Sequence, residues 1–245
     1  MQPPAACRIA AWSLLTLAAI CSSGSAAPES VPSDASFSYA NMDPDDDLVV
    51  APPAAREECA QALTALGVTF KSASIPLHKQ GKILCGADQL VSYSKGPGKI
   101  SYNGAPVLTC VMAMALARFE VVAQEEAMRS FGKRIRSVKH MGTYSCREIA
   151  AYPGWVSEHS YANAIDIETL TLTDGKVVSI AKHFDKTDGV PKKKEGLFLR
   201  TLSRRLYDEN VFSSVLTPFF NRAHWNHFHI DISHFRNDGT RPQAD

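Results

Sequence analysis

Residues 224–231 read His-Trp-Asn-His-Phe-His-Ile-Asp, and this stretch decides how the second half of the chain folds. Polar and apolar side chains alternate through residues 227–232, which predicts a half-buried β-strand. Successive side chains on a strand point to opposite faces. The polar face carries His227, His229 and Asp231. The apolar face, which must pack on the core, carries Phe228, Ile230 and Ile232.

A second polar cluster, Ser-Glu-His-Ser-Tyr-Ala-Asn-Ala-Ile-Asp, occupies residues 157–166. Asp166 falls on a predicted strand whose neighbouring isoleucines point to the opposite face, and His159 precedes that strand in a loop that could fold back over it. Imidazole and carboxylate together suit zinc, and a catalytic zinc keeps three protein ligands and one open position for water. The two clusters therefore predict a zinc site, with His224 close to the same place.

Helices and strands are segregated along the chain, which predicts an α+β fold. Apolar spacing and turn residues give the individual elements. Helices are predicted over residues 57–66, over residues 195–208, and from Pro106, at the first helical position, to about residue 131. A loop is predicted over residues 92–106 and an extended segment over residues 135–146. Strands over residues 163–172 and 176–180 flank the hairpin dipeptide Asp174-Gly175.

The N-terminus has the pattern of an export signal. Arg8 supplies positive charge, residues 9–20 are apolar, and small residues follow. A cut after Ala26 would release a mature chain of 219 residues into the periplasm or cell envelope, and a cut after Ala27 fits the same rule. The alternatives are an uncleaved anchor and a lipoprotein cut before Cys21, which the large Ile20 disfavours. Residues 27–55 hold six acids, five prolines and neither Lys nor Arg, which predicts a flexible acidic linker before a folded domain over residues 56–245.

Four cysteines follow the signal: Cys59, Cys85, Cys110 and Cys146. An even number in an oxidising compartment predicts two disulfides, for which three pairings exist. A composition of 45% hydrophobic and 21% charged residues excludes collagen, coiled coil and extensive disorder. The net charge of +1 gives no reason to expect a nucleic-acid partner, although 25 basic against 19 acidic residues after the linker leave the domain at about +6.

The 157–166 cluster resembles the SxHxxGxAxD pattern of the superfamily of lysostaphin, D-Ala-D-Ala metallopeptidases and hedgehog proteins, with Ala162 in place of the glycine. The run His-x-x-His-x-His from His224 to His229 is similar to that of the penicillin-insensitive murein endopeptidases. More closely, residues 59–235 resemble the bacterial extensin-like C-terminal domain family. The marks of that family are Gly-Thr-Tyr-Ser-Cys-Arg at 142–147, the Ser-Glu-His and Asn-Ala-Ile-Asp-Ile runs within 157–167, and the histidine run.

The resemblance implies a hedgehog/D,D-peptidase-like fold, with an antiparallel sheet, flanking helices and zinc on the open face of the sheet. It implies His159, Asp166 and His229 as zinc ligands, His227 as the catalytic histidine and His224 in the lining of the site. It also implies disulfides between Cys59 and Cys85 and between Cys110 and Cys146.

For two charged residues beside these motifs, the sequence allows either a functional role or an ordinary surface position. Arg147 is predicted on a strand that leads into the site, where it would bind a substrate carboxylate or stabilise a developing oxyanion; the alternative is a surface arginine or an ion-pair partner. Glu158 is expected to be solvated, and the alternative is a contact that supports a metal ligand.

These expectations describe an exported zinc hydrolase that cleaves an amide bond in the peptide part of peptidoglycan. Many D-Ala-D-Ala carboxypeptidases of the superfamily have a glutamate base three residues before the last histidine ligand. Asn226 occupies that position here and cannot take a proton, which favours an endopeptidase-like arrangement with His227 as the base. The alternative is a noncatalytic zinc-containing module that binds the cell wall or acts as a scaffold.

Overall fold

The computed structural model describes residues 48–49 and 57–242 of the protein. The predicted signal peptide lies outside the described residues, and so does the predicted linker apart from a two-residue strand at Leu48–Val49. None of the helices in the described part of the chain has the length and apolar character needed to cross a membrane.

The described residues form helices, strands and two short 3-10 helices. The helices are α1 (Glu57–Ala65), α2 (Cys110–Phe131), α3 (Ile180–His183) and α4 (Lys194–Asp208), and the 3-10 helices span Glu158–Tyr161 and Arg222–His224. The strands are β1 (Leu48–Val49), β2 (Thr69–Gln80), β3 (Ile83–Lys95), β4 (Ser101–Tyr102), β5 (Val107–Leu108), β6 (Ile135–His140), β7 (Glu148–Ile149), β8 (Tyr152–Val156), β9 (Ala164–Leu172), β10 (Val177–Ser179), β11 (Ser214–Leu216), β12 (Phe228–Asp231) and β13 (Asn237–Gly239).

The described strands form two sheets, of seven and four strands, and one separate pair. The larger sheet has the order β13-β11-β12-β9-β6-β4, with β10 also beside β9, and the smaller has the order β1-β3-β2, with β5 on β3. Pairing is antiparallel throughout except at β1–β3, β4–β6 and β11–β13. Strands β7 and β8 pair only with each other. The predicted α+β class with antiparallel sheets is therefore confirmed.

Helix α2 supplies much of the hydrophobic core. Its buried residues pack against strands of the larger sheet and against α4, where the rings of Phe131 and Phe198 lie 5.1 Å apart. The helix does not begin at Pro106, as the sequence predicted, because Val107–Leu108 pair with β3 instead. Thr109 is the N-cap, and its hydroxyl accepts a hydrogen bond from the backbone N–H of Met112.

Most other elements confirm the sequence predictions, with two differences. Helices α1 and α4 and the β9–β10 hairpin lie where they were expected. The segment 92–106 is not all loop, because β3 continues to Lys95 and Ser101–Tyr102 form β4. The extended segment ends at His140, and residues 141–146 form a loop whose backbone bonds to Asp166 and His159.

The disulfides join different partners from those that the family resemblance implied. Cys59 pairs with Cys110, and Cys85 pairs with Cys146, with Cα atoms 6.0 Å apart in each bridge. The reason is tertiary packing: α1 lies against the start of α2, whereas Cys85 lies with Ile83 under the loop that carries Cys146. Closing loops of 51 and 61 residues stabilises the fold by about 4 kcal/mol each in the chain-entropy account.

A fully buried carboxyl on α2 holds the turn between β3 and β4. Glu120 accepts hydrogen bonds from the hydroxyls of Tyr93 and Tyr102, at 3.1 and 3.0 Å, and from the backbone N–H of Gly98, at 2.8 Å. A Cβ at Gly98 would lie 2.7 Å from the Cβ of Glu120, so only glycine allows this approach. Burial raises the pKa of Glu120 above its usual value, although these three donors oppose the shift.

We expect peptide mapping of the non-reduced mature protein to recover the pairs Cys59–Cys110 and Cys85–Cys146. No free thiol should be found after denaturation, because each of the four sulfurs is bridged. Recovery of a Cys59–Cys85 peptide would contradict the packing of α1 on α2.

We expect the buried carboxyl of Glu120 to destabilise the protein as pH rises. Its pKa is higher in the folded state than in the unfolded chain, so its contribution is fully present below about pH 4.5 and is lost as pH rises through the folded value. Urea denaturation of the wild type and of Glu120→Gln at several pH values measures this. The free energy of unfolding of the wild type, relative to that of the variant, should fall between pH 4 and pH 8; a constant difference would contradict the expectation.

Candidate metal centre

The pairing of β9 with β12 brings the first two site residues together. In this antiparallel ladder His229 lies directly opposite Asp166, and Nδ1 of the imidazole is 3.0 Å from Oδ1 of the carboxylate. The alternate residues of both strands, Ile165, Ile167, Phe228 and Ile230, are buried in the core. The alternation predicted from the sequence is confirmed over Phe228–Asp231, but the strand is shorter than the predicted 227–232, since His227 and Ile232 lie outside β12.

His159 reaches the same place from the 3-10 helix Glu158–Tyr161. Ser157 caps this helix by accepting a hydrogen bond from the backbone N–H of His159, and Ala162 ends it with a φ of 56° in the left-handed region. This backbone is unfavourable for alanine by about 1–2 kcal/mol and easy for glycine, which accounts for glycine in the pattern that the sequence otherwise follows. The side chain of His159 is only 3% exposed.

His159, Asp166 and His229 form a group that could hold a metal ion. Nε2 of His159 lies 3.2 Å from Oδ1 of Asp166 and 3.1 Å from Nδ1 of His229. Three potential ligand atoms thus converge on one point at a half-buried position. The ligand set that the family resemblance implied is brought together as expected.

Each imidazole of this group has its other nitrogen turned to an oxygen acceptor. Nδ1 of His159 donates to the carbonyl of Thr143 at 3.3 Å, and Nε2 of His229 donates to Oδ2 of Asp231 at 2.9 Å. Asp231 was not among the predicted site residues, although the strand alternation already placed it on the face of His229. Such outer contacts fix the orientation of a metal-binding ring.

The protein charges of the group are opposite and mutually stabilising. Burial alone would raise the pKa of Asp166, but hydrogen bonds from His159 and His229 hold it well below its usual range. Burial alone would lower the pKa of His229, but its bonds to Asp166 and Asp231 raise it to about 9. The carboxylate of Asp166 is therefore ionised at neutral pH.

Two further histidines lie at the edge of the group. Nε2 of His227 is 3.7 Å from Oδ1 of Asp166, and the ring of His224 lies 5.2 Å from that of His227 and 5.9 Å from that of His229. Burial lowers the pKa of His227, and burial together with the neighbouring histidines lowers the pKa of His224 to about 4. Both rings are therefore neutral at pH 7.

Arg147 lies near these neutral histidines. It precedes β7 in a loop rather than on the strand that the sequence suggested, and its backbone is fixed to the His159 segment by bonds from its N–H to Ser160 and from Ser157 to its carbonyl. Its side chain is exposed. Burial is the main cause of the lowered pKa of His224 and His227, and the positive charge of Arg147 adds to that lowering.

Glu158 is half-buried rather than solvated. Asn163 Nδ2 donates to Oε2 of Glu158 at 2.9 Å, and burial raises the pKa of this carboxyl to about 7. Asn163 also accepts from the hydroxyl of Thr109 and donates to the carbonyl of Ile232. One amide, which was not predicted as a site residue, thus connects the His159 segment, the start of α2 and the end of β12.

The comparison with known proteins identifies one family. Residues 57–241 match the family described as Extensin-like protein C-terminus. No curated protein and no solved structure matches the chain. The matched region is about three quarters of the sequence and contains every residue of the centre. The protein therefore belongs to the extensin-like C-terminal family.

Proposed function

We propose that the protein is an exported, zinc-dependent hydrolase that cleaves an amide bond in the peptide part of peptidoglycan, with an endopeptidase-like site. The observation that carries the proposal is the convergence of His159, Asp166 and His229 beside the neutral imidazole of His227. The two disulfides are consistent with an oxidising compartment, and we place the protein in the periplasm or cell envelope.

The donor set fits zinc. Two imidazole nitrogens and one carboxylate oxygen are among its preferred ligands, with bonds of about 2.0–2.2 Å. Tetrahedral bonds of that length separate neighbouring ligand atoms by about 3.3 Å, and the three separations here are 3.0, 3.1 and 3.2 Å. Bound there, zinc would act as a Lewis acid on an amide carbonyl and would lower the pKa of water at its open position to about 7.

His227 is the residue that moves the proton. Its Nδ1 donates to Oδ1 of Asn226 at 2.9 Å, so the lone pair is on Nε2, which lies on the side of Asp166. A neutral imidazole so oriented accepts a proton from water at the site and returns it to the leaving amine. Asn226 thus acts through His227, although the amide cannot itself take a proton.

Arg147 and His224 complete the substrate side of the proposal. The exposed guanidinium of Arg147 is placed to bind a carboxylate of the peptide, which peptidoglycan stems carry, and His224 adds a second neutral imidazole that can contact the substrate. We also propose that the fold belongs with the lysostaphin, D-Ala-D-Ala metallopeptidase and hedgehog superfamily, because the Ser157–Asp166 pattern and the histidine strand occupy one centre.

We expect His229→Ala and His227→Ala to fail in different ways. His229→Ala removes one of three ligands, so bound zinc and the zinc-dependent increase in Tm should be lost. His227→Ala leaves the three ligands in place, so zinc should stay while turnover falls roughly 10²–10⁴-fold. Elemental analysis beside turnover of a muropeptide separates the two, and His183→Ala, a half-buried histidine outside the centre, is the control. The reverse pattern of zinc loss would reverse the two roles.

We expect the zinc-loaded protein to cleave crosslinked muropeptides and the chelated protein to leave them intact. Arg147→Ala should raise KM roughly 10–100-fold, because a hydrogen-bonded charge pair with a substrate carboxylate contributes about 1.5–3 kcal/mol. Arg136→Ala, an exposed arginine at the far end of the sheet, should leave KM unchanged. Absence of product from both crosslinked and uncrosslinked substrates would favour a noncatalytic wall-binding or scaffold module.

A further inference from the structure

We propose that Asp231 is the positioning residue that makes His229 bind the metal through Nδ1. The proposal rests on the metal centre of the proposed function, but it concerns the metal-binding step and not the hydrolysis. It assigns opposite ring nitrogens to the two histidine ligands, Nε2 for His159 and Nδ1 for His229.

Strand geometry delivers the carboxylate of Asp231 to His229. The two residues are separated by one position on β12, so their side chains share a face, and Oδ2 of Asp231 lies 2.9 Å from Nε2 of His229. The second oxygen, Oδ1, accepts the backbone N–H of Ser233 at 3.0 Å. Asp231 is only 4% exposed, and contacts at both oxygens fix the orientation of the carboxylate.

The neighbours of Asp231 leave its carboxylate available to His229. Its cross-strand partners are Ala164 on β9 and Ser214 on β11, both small and fully buried. The hydroxyl of Ser214 pairs with the hydroxyl of Ser233 at 3.0 Å rather than with Asp231. Oδ2 of Asp231 is therefore available to accept a hydrogen bond from the Nε2–H of His229.

The acceptor decides which nitrogen of each ring carries the proton. A carboxylate and a backbone carbonyl accept hydrogen bonds from an N–H. Both nitrogens of His229 face carboxylates, Nε2 that of Asp231 and Nδ1 that of Asp166. A metal ion bound between His229 and Asp166 would replace the proton on Nδ1, while Asp231 would keep the other proton on Nε2 and so leave the lone pair on Nδ1. The carbonyl of Thr143 does the opposite for His159, and leaves its lone pair on Nε2. The two lone pairs then point to one place, as a shared metal ion requires.

Replacing Asp231 with asparagine removes one of two acceptors without changing the size of the side chain. The backbone N–H of Ser233 and the Nε2–H of His229 both need an oxygen, and an amide offers one. In Asp231→Asn we expect zinc affinity to fall about 10–100-fold, the usual effect of losing such a partner. The matched control is Asp238→Asn, a half-buried aspartate of the same sheet that accepts bonds from Arg204 and Thr240.

The experiment measures zinc affinity by competition with a chromophoric chelator, for the full mature protein and both variants. Long-range proton–nitrogen correlation spectra of the zinc-loaded wild type report which ring nitrogen is protonated. We expect a proton on Nε2 of His229 and on Nδ1 of His159, with Asp238→Asn within threefold of the wild-type affinity.

Four results would be decisive. A proton on Nδ1 of His229 in the loaded wild type overturns the inference, and this spectrum decides even if Asp231→Asn fails to fold. A folded Asp231→Asn that binds zinc with wild-type affinity also overturns it. A wild type that binds no zinc overturns the metal centre and the inference together. A wild type that binds zinc as expected but cleaves no muropeptide overturns the hydrolase proposal and supports the inference.

Discussion

The centre depends on one pairing register, that of β9 with β12. Because Asp166 lies opposite His229, both polar side chains point to the open face while their neighbours point into the core. A slip of one residue in either strand would turn a ligand into the core and an isoleucine or phenylalanine out to solvent. Burial of those apolar residues stabilises the fold by about 1.5–3 kcal/mol each. The core thus fixes the positions of two of the three side chains that could hold a metal ion.

The third of these side chains, His159, depends on a loop that a disulfide and backbone hydrogen bonds hold against the sheet. In residues 141–146, the carbonyl of Gly142 accepts the N–H of Asp166, the N–H of Ser145 donates to the carbonyl of His159, and the carbonyl of Thr143 faces the imidazole of His159. The Cys85–Cys146 bridge ties the end of this loop to β3. The disulfide therefore supports the orientation of His159 as well as global stability, which explains why a bridge joins the smaller sheet to the centre.

Local pattern was enough to predict the strand faces, and the family resemblance supplied the set His159, Asp166 and His229. Local pattern failed where packing between distant segments decides. The alternation in residues 227–232 placed His229 and Asp231 on one face, as the structure has them. The disulfide pairing depends on α1 packing on α2, which no local pattern contains. The hydrogen bond between Asn163 and Thr109 joins segments 54 residues apart. The sequence does not predict it, because asparagine and threonine are as common in solvated positions as in such structural links.

His227 and His229 stand two residues apart but have different hydrogen-bond partners, and the partners suit the two rings to different proposed roles. His229 lies between the carboxylates of Asp166 and Asp231, whose negative charge would favour a metal cation beside the ring. His227 has the amide of Asn226 instead, which orients the ring without adding negative charge, while burial keeps it neutral. Under the proposed function, the exchange of a carboxylate partner for an amide partner separates a metal ligand from a base, since the two side chains are equally exposed, 12% for each. Asn226 stands where many D-Ala-D-Ala carboxypeptidases have a glutamate base, and under the proposed function it instead orients His227 to act as the base.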